Sequence, residues 1–273
     1  MTLFDFKKEL ARFVAEDIGR KDITSELLPK KNIKARIITR EGCVVAGASH
    51  AATIFKMRRC KAMILKKDGS SARKNGTIME ISGRAARILE CERTALNLLA
   101  RMSGIATMTD MMARRIPGTV GLYSTRKTVP GLRYFDKEAV VIGGGKKHRL
   151  RLDESVMIKD NHIAADSIEG MMYRAKKRHK KFEIEVEDAE NAVLAASGGA
   201  SVIMLDNFTP HQIRRTVTLL EERGLRRRVR LEASGGITME NIAAYGRTGV
   251  DMISAGCITS SVRGIDYSLE VSS

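Results

Sequence analysis

The first part of the chain mixes helical and alternating hydrophobic patterns. Apolar residues recur at helical spacing over residues 3–16 and predict an amphipathic helix, followed by a loop over residues 17–25. Residues 33–40 alternate between apolar and polar side chains, as a half-buried strand does. A proline-free segment over residues 84–115 predicts a long helix. Its apolar face consists of Ile88, Ala95, Leu99 and Met102.

After Pro117-Gly118 the pattern changes to short apolar runs separated by segments of helical length. This alternation predicts parallel βα units. The predicted strands are residues 120–123, 156–158, 182–186, 202–205, 229–231 and 250–253. One connecting helix is well marked, because Thr209 can cap it, Pro210 suits its first turn and Gly224 can end it.

Polar residues cluster where these predicted strands end. In a barrel of parallel strands the carboxyl ends share one face, and active sites are built there. The last two ends, Ser234-Gly235-Gly236 and Ala255-Gly256, are rich in glycine, and a barrel commonly binds phosphate at that place. Six or seven strands are visible rather than eight. We therefore predict a barrel-like α/β domain after about residue 105, preceded by an α+β domain.

The composition narrows the possible partners. Lys and Arg number 48 against 32 Asp and Glu, a net charge of +16, so the protein should attract anions. Aromatic residues make up 4% and Trp is absent, which leaves little surface for stacking single-stranded nucleic acid. We expect a cytoplasmic protein without disulfides or structural zinc, because the cysteines have no zinc spacing and no signal segment opens the chain. The cysteines are Cys43, Cys60, Cys91 and Cys257.

The candidate residues of this rim divide into three chemical groups. Basic side chains can hold a ligand with two carboxylates; these are Arg126, Lys127, His148, Arg149 and Lys159. Glu185 and Asp206 can hold Mg²⁺ or the hydroxyls of a sugar, since both offer oxygen ligands. The glycine-rich ends supply backbone N–H groups for a phosphate. Together the groups indicate a phosphorylated sugar that meets an organic acid.

Thirteen short segments, in this order and spacing, resemble the quinolinate phosphoribosyltransferase family, also called nicotinate-nucleotide pyrophosphorylase. They extend over nearly the whole chain, and their shared order is far more specific than any one of them. The segments are residues 16–19 with 22–25, 92–97 with 103–107, 125–128 with 130–133, 143–145 with 148–149, 159–162, 183–186, 205–207, 234–236 and 249–251.

The resemblance implies an N-terminal α/β sandwich domain over residues 1–105, to which residues 263–273 can return. It implies a C-terminal open α/β barrel, similar to a TIM barrel, over residues 106–262. It also implies a homodimer or larger oligomer with a shared active site, in which Arg93 reaches the site of the neighbouring subunit.

The resemblance further implies phosphoribosyl transfer from phosphoribosyl pyrophosphate to quinolinate with decarboxylation, in NAD biosynthesis, with Mg²⁺ as cofactor. It assigns quinolinate binding to Arg93, Arg126, His148, Arg149 and Lys159. It assigns catalytic roles to Lys127, Lys159, Glu185 and Asp206, of which Lys127, Glu185 and Asp206 are expected to contact phosphoribosyl pyrophosphate, its ribose or its Mg²⁺. Metal contact by Glu185 and Asp206 can be indirect, through ribose or water. The 5′-phosphate is expected on Ser234, Gly235, Gly236, Ala255 and Gly256.

Three alternatives remain open at this point. A related pyrophosphorylase could use another planar acid, a Schiff-base lyase could use Lys159 as nucleophile, and a nucleic-acid binder would explain the net charge. The chain departs from the usual family pattern at Lys21, Arg151, Ala233 and Ser260. Of these, Arg151 bears most on substrate identity, because a further cation could strengthen or crowd the acid pocket.

Overall fold

The computed structural model describes residues 5–272. The chain divides into two compact units, residues 5–108 with 262–272 and residues 109–261. The boundary near residue 108 falls inside a long helix. None of the helices in the described range combines the length and the apolar character that a membrane span requires.

The first unit contains an antiparallel sheet of four strands in the described part of the chain, in the order β12-β1-β5-β3. Helix α2 packs against β3 and β5, and α1 packs against α2. In chain order the elements up to the boundary helix are α1 (Phe6–Ile18), β1 (Asn32–Thr39), β2 (Cys43–Val44), α2 (Ala48–Met57), β3 (Lys61–Ile64), β4 (Ser71–Ala72), β5 (Thr77–Arg84) and α3 (Ala85–Ala113).

The first helix begins and ends later than the pattern predicts. Leu3 lies outside the described residues. Asp5 fixes the start, because its carboxylate accepts the N–H groups of Lys7 at 3.0 Å and Lys8 at 3.3 Å. The helix continues through Ile18 and ends at Gly19, so the first two residues of the predicted loop are helical. The long helix predicted over residues 84–115 is confirmed as α3, and its four predicted apolar residues are fully buried.

The second unit is built around a six-stranded parallel sheet in the order β6-β11-β10-β9-β8-β7, the open barrel-like arrangement that the sequence predicts. A parallel bridge between Tyr123 and Lys146 extends the β6 edge. Its elements are β6 (Gly121–Tyr123), α4 (Arg133–Ile142), β7 (Val156–Ile158), α5 (Asp160–Ala164), α6 (Ile168–Arg178), β8 (Phe182–Val186), α7 (Ala189–Gly198), β9 (Val202–Asp206), α8 (Pro210–Glu222), β10 (Arg230–Ser234), α9 (Ile242–Gly246), β11 (Met252–Ser254) and α10 (Cys257–Ser260). The last strand, β12 (Tyr267–Ser272), pairs with β1 of the first unit.

The connecting helix α8 shows why the alternating pattern predicts this unit well. Thr209 caps it by accepting the N–H of Gln212 at 3.3 Å, and Pro210 occupies its first turn, as predicted. Ile213 and Leu220 are fully buried on its inner face. The helix ends at Glu222, and Gly224 follows with φ +65°, a conformation that glycine adopts without strain.

Candidate active site

An open pocket of about 510 Å³ lies at the carboxyl ends of the parallel strands, within the second unit. Its volume falls in the range of small-molecule sites. All five cations predicted for the rim line it: Arg126, Lys127, His148, Arg149 and Lys159. The two predicted carboxylates, Glu185 and Asp206, and the predicted Ser234 line it as well. The structure therefore brings together the chemistry that the strand ends indicate.

Lys159 and Glu185 join the basic and acidic sides of this pocket. Lys159 follows β7, Glu185 lies on the neighbouring β8, and the ammonium contacts the carboxylate in an ion pair. The Lys159 side chain is 40% exposed and that of Glu185 is 9% exposed, so the pair opens toward the pocket on the lysine side. His162 shapes the turn, because its Nδ1 accepts the backbone N–H of Lys159 at 3.0 Å.

Two guanidinium groups in the pocket retain unused donors. Among the described residues, the buried Nε of Arg126 has no hydrogen-bond partner. Arg149 donates to the carbonyl of Ser155 at 3.3 Å and contacts the sulfur of Met157 at 3.1 Å. Burial lowers the pKa of Arg149, and the neighbouring Arg126 charge lowers it further. Two like charges held close together, with donors to spare, favour an anionic ligand between them.

His148 lies in the pocket wall above two buried carboxylates that the sequence analysis missed. Its Nε2 is 3.3 Å from Glu232 and 3.4 Å from Glu183. Glu232 is fully buried and also accepts the hydroxyl of Ser254, whereas Oε1 of Glu183 has no partner within residues 5–272. The spacing of the glutamates on β8 predicts an inward face, but it cannot indicate that His148 lies against it.

The two carboxylates control the charge of His148. Burial lowers its pKa, but hydrogen bonds from the imidazole to Glu183 and Glu232 raise it more strongly, to about 9. The backbone N–H of Arg149 donates to Nδ1 at 2.8 Å and opposes this rise. Burial in turn raises the pKa of Glu183. The ligand atoms of these three residues lie within 4.8 Å of one another, a spacing that could also hold a metal ion.

The loops after β9 and β10 meet in a turn that requires glycine. Asn207 donates its backbone N–H to the carbonyl of Ser234 at 2.9 Å, and its side-chain amide donates to Asp206 at 2.6 Å. Gly235 has φ +89°, and a Cβ there would lie 2.2 Å from Oδ1 and 2.6 Å from N of Asn207. Gly236 also has positive φ, at +58°. Backbone N–H groups at such a turn are accessible to an anion.

The predicted phosphate residues after β11 lie beside Lys127. A Cβ added to Gly256 would be 3.3 Å from Cδ of Lys127. The carbonyl of Lys127 accepts the hydroxyl of Thr259 at 2.8 Å, and this hydrogen bond fixes the loop after β6 against α10. Ala255 is buried and its N–H donates to Tyr123 at 3.0 Å, so it continues the strand ladder.

The structure places the remaining predicted and atypical residues outside the pocket lining. Arg93 is exposed on α3, in the first unit. Arg151 is exposed and pairs with Asp153 at 3.2 Å and Glu154 at 3.6 Å, so it neither strengthens nor crowds the pocket. Lys21 pairs with Glu26 at 2.8 Å. The other two atypical positions are a buried Ala233 and an exposed Ser260 whose hydroxyl donates to Gly256 at 3.0 Å.

Comparison with known proteins identifies the family that the sequence segments resemble, and the matches extend over nearly the whole chain. Residues 22–103 match the family described as quinolinate phosphoribosyl transferase, N-terminal domain, and residues 105–270 match the corresponding C-terminal domain. A probable nicotinate-nucleotide pyrophosphorylase [carboxylating] of Methanothermobacter thermautotrophicus is 44% identical over 98% of this chain and 99% of its own length. The protein of the same description from Bacillus subtilis is 38% identical over 99% and 95% of the two chains.

A solved structure supports the relationship at the level of the fold. The crystal structure of nicotinate-nucleotide pyrophosphorylase from Ehrlichia chaffeensis superimposes with a TM-score of 0.93 at 35% identity, covering 99% of this chain and 100% of the other. A family match over most of the chain, relatives of nearly equal length and a common fold all agree. The chain therefore belongs to the quinolinate phosphoribosyltransferase family.

Proposed function

We propose that the pocket at the strand ends is where this chain carries out the reaction of its family. That reaction transfers the phosphoribosyl group of phosphoribosyl pyrophosphate to quinolinate and releases CO₂, giving nicotinate mononucleotide and pyrophosphate for NAD synthesis. The observation that carries the assignment to this pocket is its lining of five cations, two carboxylates and Ser234, from which the glycine turn continues.

The cationic wall suits quinolinate, a planar ring with two adjacent carboxylates. Arg126 and Arg149 supply guanidinium donors that match a carboxylate through paired hydrogen bonds. The unpartnered Nε of Arg126 supports this role, because a buried donor without a partner is costly until a ligand accepts from it. His148, held as a cation by two glutamates, and Lys159 complete the acid-binding group.

The opposite side of the pocket suits phosphoribosyl pyrophosphate. Glu185 and Asp206 can accept the ribose hydroxyls, Lys127 can contact the pyrophosphate, and the turn at Gly235 can receive the 5′-phosphate on backbone N–H groups. With Ser234, the N–H groups of Gly235, Gly236 and Gly256 form this phosphate-binding group, and Ala255, whose N–H donates to the carbonyl of Tyr123, positions Gly256. Its donors are uncharged, so it complements the charged side chains that face the leaving group.

Mg²⁺ fits this donor set, because carboxylate oxygens are its preferred protein ligands and Asp206 is half-buried at the pocket wall. Glu185 is engaged by Lys159, so we assign Asp206 the closer contact and Glu185 a contact through ribose or water. When bound with pyrophosphate, Mg²⁺ would neutralise negative charge on the leaving group.

The side chains act by position and charge and need no covalent nucleophile. Arg126, Arg149 and His148 hold the quinolinate ring so that its nitrogen faces C1 of the ribose. Glu185 and Asp206 favour the positive charge that develops on the sugar as the bond between C1 of the ribose and the pyrophosphate oxygen breaks. Once the ring nitrogen is bonded to C1 it is positive, and this charge stabilises the carbanion left when the adjacent carboxylate departs as CO₂.

We further propose that the chain works in the cytoplasm as a homodimer or larger oligomer, in which Arg93 completes the acid pocket of a neighbouring subunit. The exposure of Arg93 supports this proposal, since the guanidinium is available to another copy of the chain. The proposal also explains why Arg93, which belongs to one of the segments that resemble the family, lies on a helix of the first unit.

The proposed function is tested by incubating the protein with quinolinate, phosphoribosyl pyrophosphate and Mg²⁺ and measuring nicotinate mononucleotide and CO₂. Equal amounts of both products are expected, and their absence would reject the assignment. Arg149→Ala should raise the KM for quinolinate by about 100-fold and leave the KM for phosphoribosyl pyrophosphate nearly unchanged. Equal losses for both substrates would contradict the division of the pocket. The lyase alternative predicts a borohydride-trapped adduct at Lys159, which the transferase should not form.

A further inference from the structure

Lys137 is a charged residue at the centre of the second unit that the proposed mechanism does not use. It lies on α4 and is fully buried. Burial lowers its pKa to about 8, and the nearby positive charges of Arg133 and Arg126 act in the same direction, against the attraction of Glu154. Keeping a lysine in such surroundings is unfavourable, so its position calls for a specific explanation.

The ammonium of Lys137 is directed at the backbone that carries two proposed acid-binding residues. It donates to the carbonyl of Lys147 and, at 2.9 Å, to the carbonyl of Arg149. We call residues 147–150 the acid-binding corner. Its peptide groups therefore lie between Lys137 on one side and the pocket on the other, where the side chains of His148 and Arg149 line the wall.

A second cationic side chain on α4, Arg133, also binds a backbone carbonyl of the acid-binding corner. Arg133 donates to the carbonyl of Leu150 at 3.2 Å and to the hydroxyl of Thr128 at 3.1 Å. The carbonyls of Lys147, Arg149 and Leu150 are thus all bound by cationic side chains from one helix. At the N-terminal end of the corner, Ser124 also donates to the carbonyl of Lys147 at 3.0 Å.

The corner needs such support because its backbone is strained. His148 has φ +51°, in the left-handed region that is unfavourable for residues other than glycine. Turning the chain there directs His148 toward Glu183 and Glu232 while Arg149 points into the pocket. Without bonds to the flanking carbonyls, the corner could relax into a more common conformation and the two side chains would move apart.

We infer that Lys137 is a positioning residue for quinolinate: it holds the acid-binding corner so that Arg149 points into the pocket while His148 stays against Glu183 and Glu232 in the pocket wall. This inference rests on the proposed function of the pocket. Lys137 does not line the pocket and is not proposed to touch either substrate. Its contribution should therefore be specific to the acid, since the described contacts of Lys137 include none with Asp206 or the turn at Gly235.

The test is Lys137→Met, which keeps an unbranched side chain one atom shorter than lysine and removes its donors. The KM for quinolinate should rise at least about tenfold, while the KM for phosphoribosyl pyrophosphate stays within about twofold. Lys177→Met, at an exposed position on α6, is the matched control and should leave both constants unchanged. An unchanged KM for quinolinate, or an equal rise for both substrates, would overturn the inference.

If Lys137→Met does not fold, Arg133→Met provides a second test of the inference. It removes the bonds to Leu150 and Thr128 from a half-buried position and should raise the KM for quinolinate selectively by a smaller factor. If this variant leaves that KM unchanged, or raises both constants equally, the inference fails. Loss of the proposed function is recognised separately, because the unmodified protein would then form no nicotinate mononucleotide.

Discussion

The ammonium of Lys159 contacts the carboxylate of Glu185, and this ion pair connects the acid-binding wall to the sugar-binding wall. The two residues come from neighbouring parallel strands, so the pairing follows from the strand order and the register of the sheet. An ammonium in this pair has no lone pair for attack on a carbonyl. The geometry therefore agrees with the family assignment and gives no support to a Schiff-base mechanism.

The ion pair leads to a prediction that separates stability from activity. Lys159→Met should reduce kcat/KM by about 100-fold or more, and it should lower the free energy of unfolding by about 1–2 kcal/mol, because Glu185 is left nearly buried without its partner. The double variant Lys159→Met with Glu185→Gln should recover stability but not activity, since the uncompensated charge is gone. Urea unfolding and steady-state kinetics measure both effects. A double variant less stable than the single one would contradict this account.

The sequence predicts the second unit closely because its strands are short, apolar and bounded by helices. The predicted bounds of the six strands differ from the observed ones by no more than three residues. Arg126, Lys127 and Lys159 could be predicted because they follow the ends of β6 and β7, and the parallel topology gathers those ends on one face. His148 and Arg149 instead lie in the loop before β7. Burial of Lys137 could not be predicted, because the acid-binding corner that surrounds it is set by loop conformation. The same holds for the contact of His148 with Glu232, 84 residues away.

The turn at Gly235 gives a prediction about the phosphate-binding group. Gly235→Ala combines left-handed strain with a clash against the backbone and side chain of Asn207, so it should destabilise the protein by about 3 kcal/mol. It should also raise the KM for phosphoribosyl pyrophosphate more than that for quinolinate. Gly224→Ala is the matched control: its φ is also positive, at +65°, but no atom lies within 4 Å of the added Cβ. That variant should lose only about 1–2 kcal/mol and keep both KM values.

A comparable destabilisation by Gly235→Ala and Gly224→Ala would show that contact with Asn207 is unimportant. Thermal unfolding of the two variants under the same conditions makes the comparison. The kinetic constants are best determined well below both melting temperatures, so that any unfolded fraction does not lower the apparent kcat.

The charge of His148 gives a prediction about pH. Its pKa is raised from 6.5 to about 9, so the imidazole is positive at neutral pH and loses this charge as the pH rises through 9. The KM for quinolinate should therefore increase between about pH 8 and 10. His148→Gln should bind quinolinate more weakly at pH 7 and show a smaller increase over this range.

The same shift predicts how stability depends on pH. A group whose pKa is higher in the folded state stabilises the fold fully below its unfolded value, and this contribution is lost as the pH rises toward the folded value. For His148 the loss should occur between pH 6.5 and about 9. Lys137 acts oppositely: its pKa falls from 10.5 to about 8, so its unfavourable contribution is relieved between those values. The free energy of unfolding of His148→Gln should therefore not show the loss between pH 6.5 and about 9, but it should keep the gain between about pH 8 and 10.5 that comes from Lys137. If His148→Gln retained the full loss between pH 6.5 and 9, the assignment to His148 would be wrong.

The proposed role of Arg93 in a neighbouring site can be tested by mixing two inactive variants. Arg93→Ala and Arg149→Ala should each be nearly inactive with quinolinate. If each site uses Arg93 from one subunit and Arg149 from the other, a mixed dimer has one intact site and one doubly altered site. Equal mixing after subunit exchange makes half of the dimers mixed, so activity should recover to about a quarter of the unmodified level.

The control for this mixing experiment uses two variants of the same pocket wall, Arg126→Ala and Arg149→Ala. Mixed dimers of that pair have no intact site, because both residues line one pocket within a single chain. Recovery in the control, or none with Arg93→Ala, would place Arg93 outside the shared site.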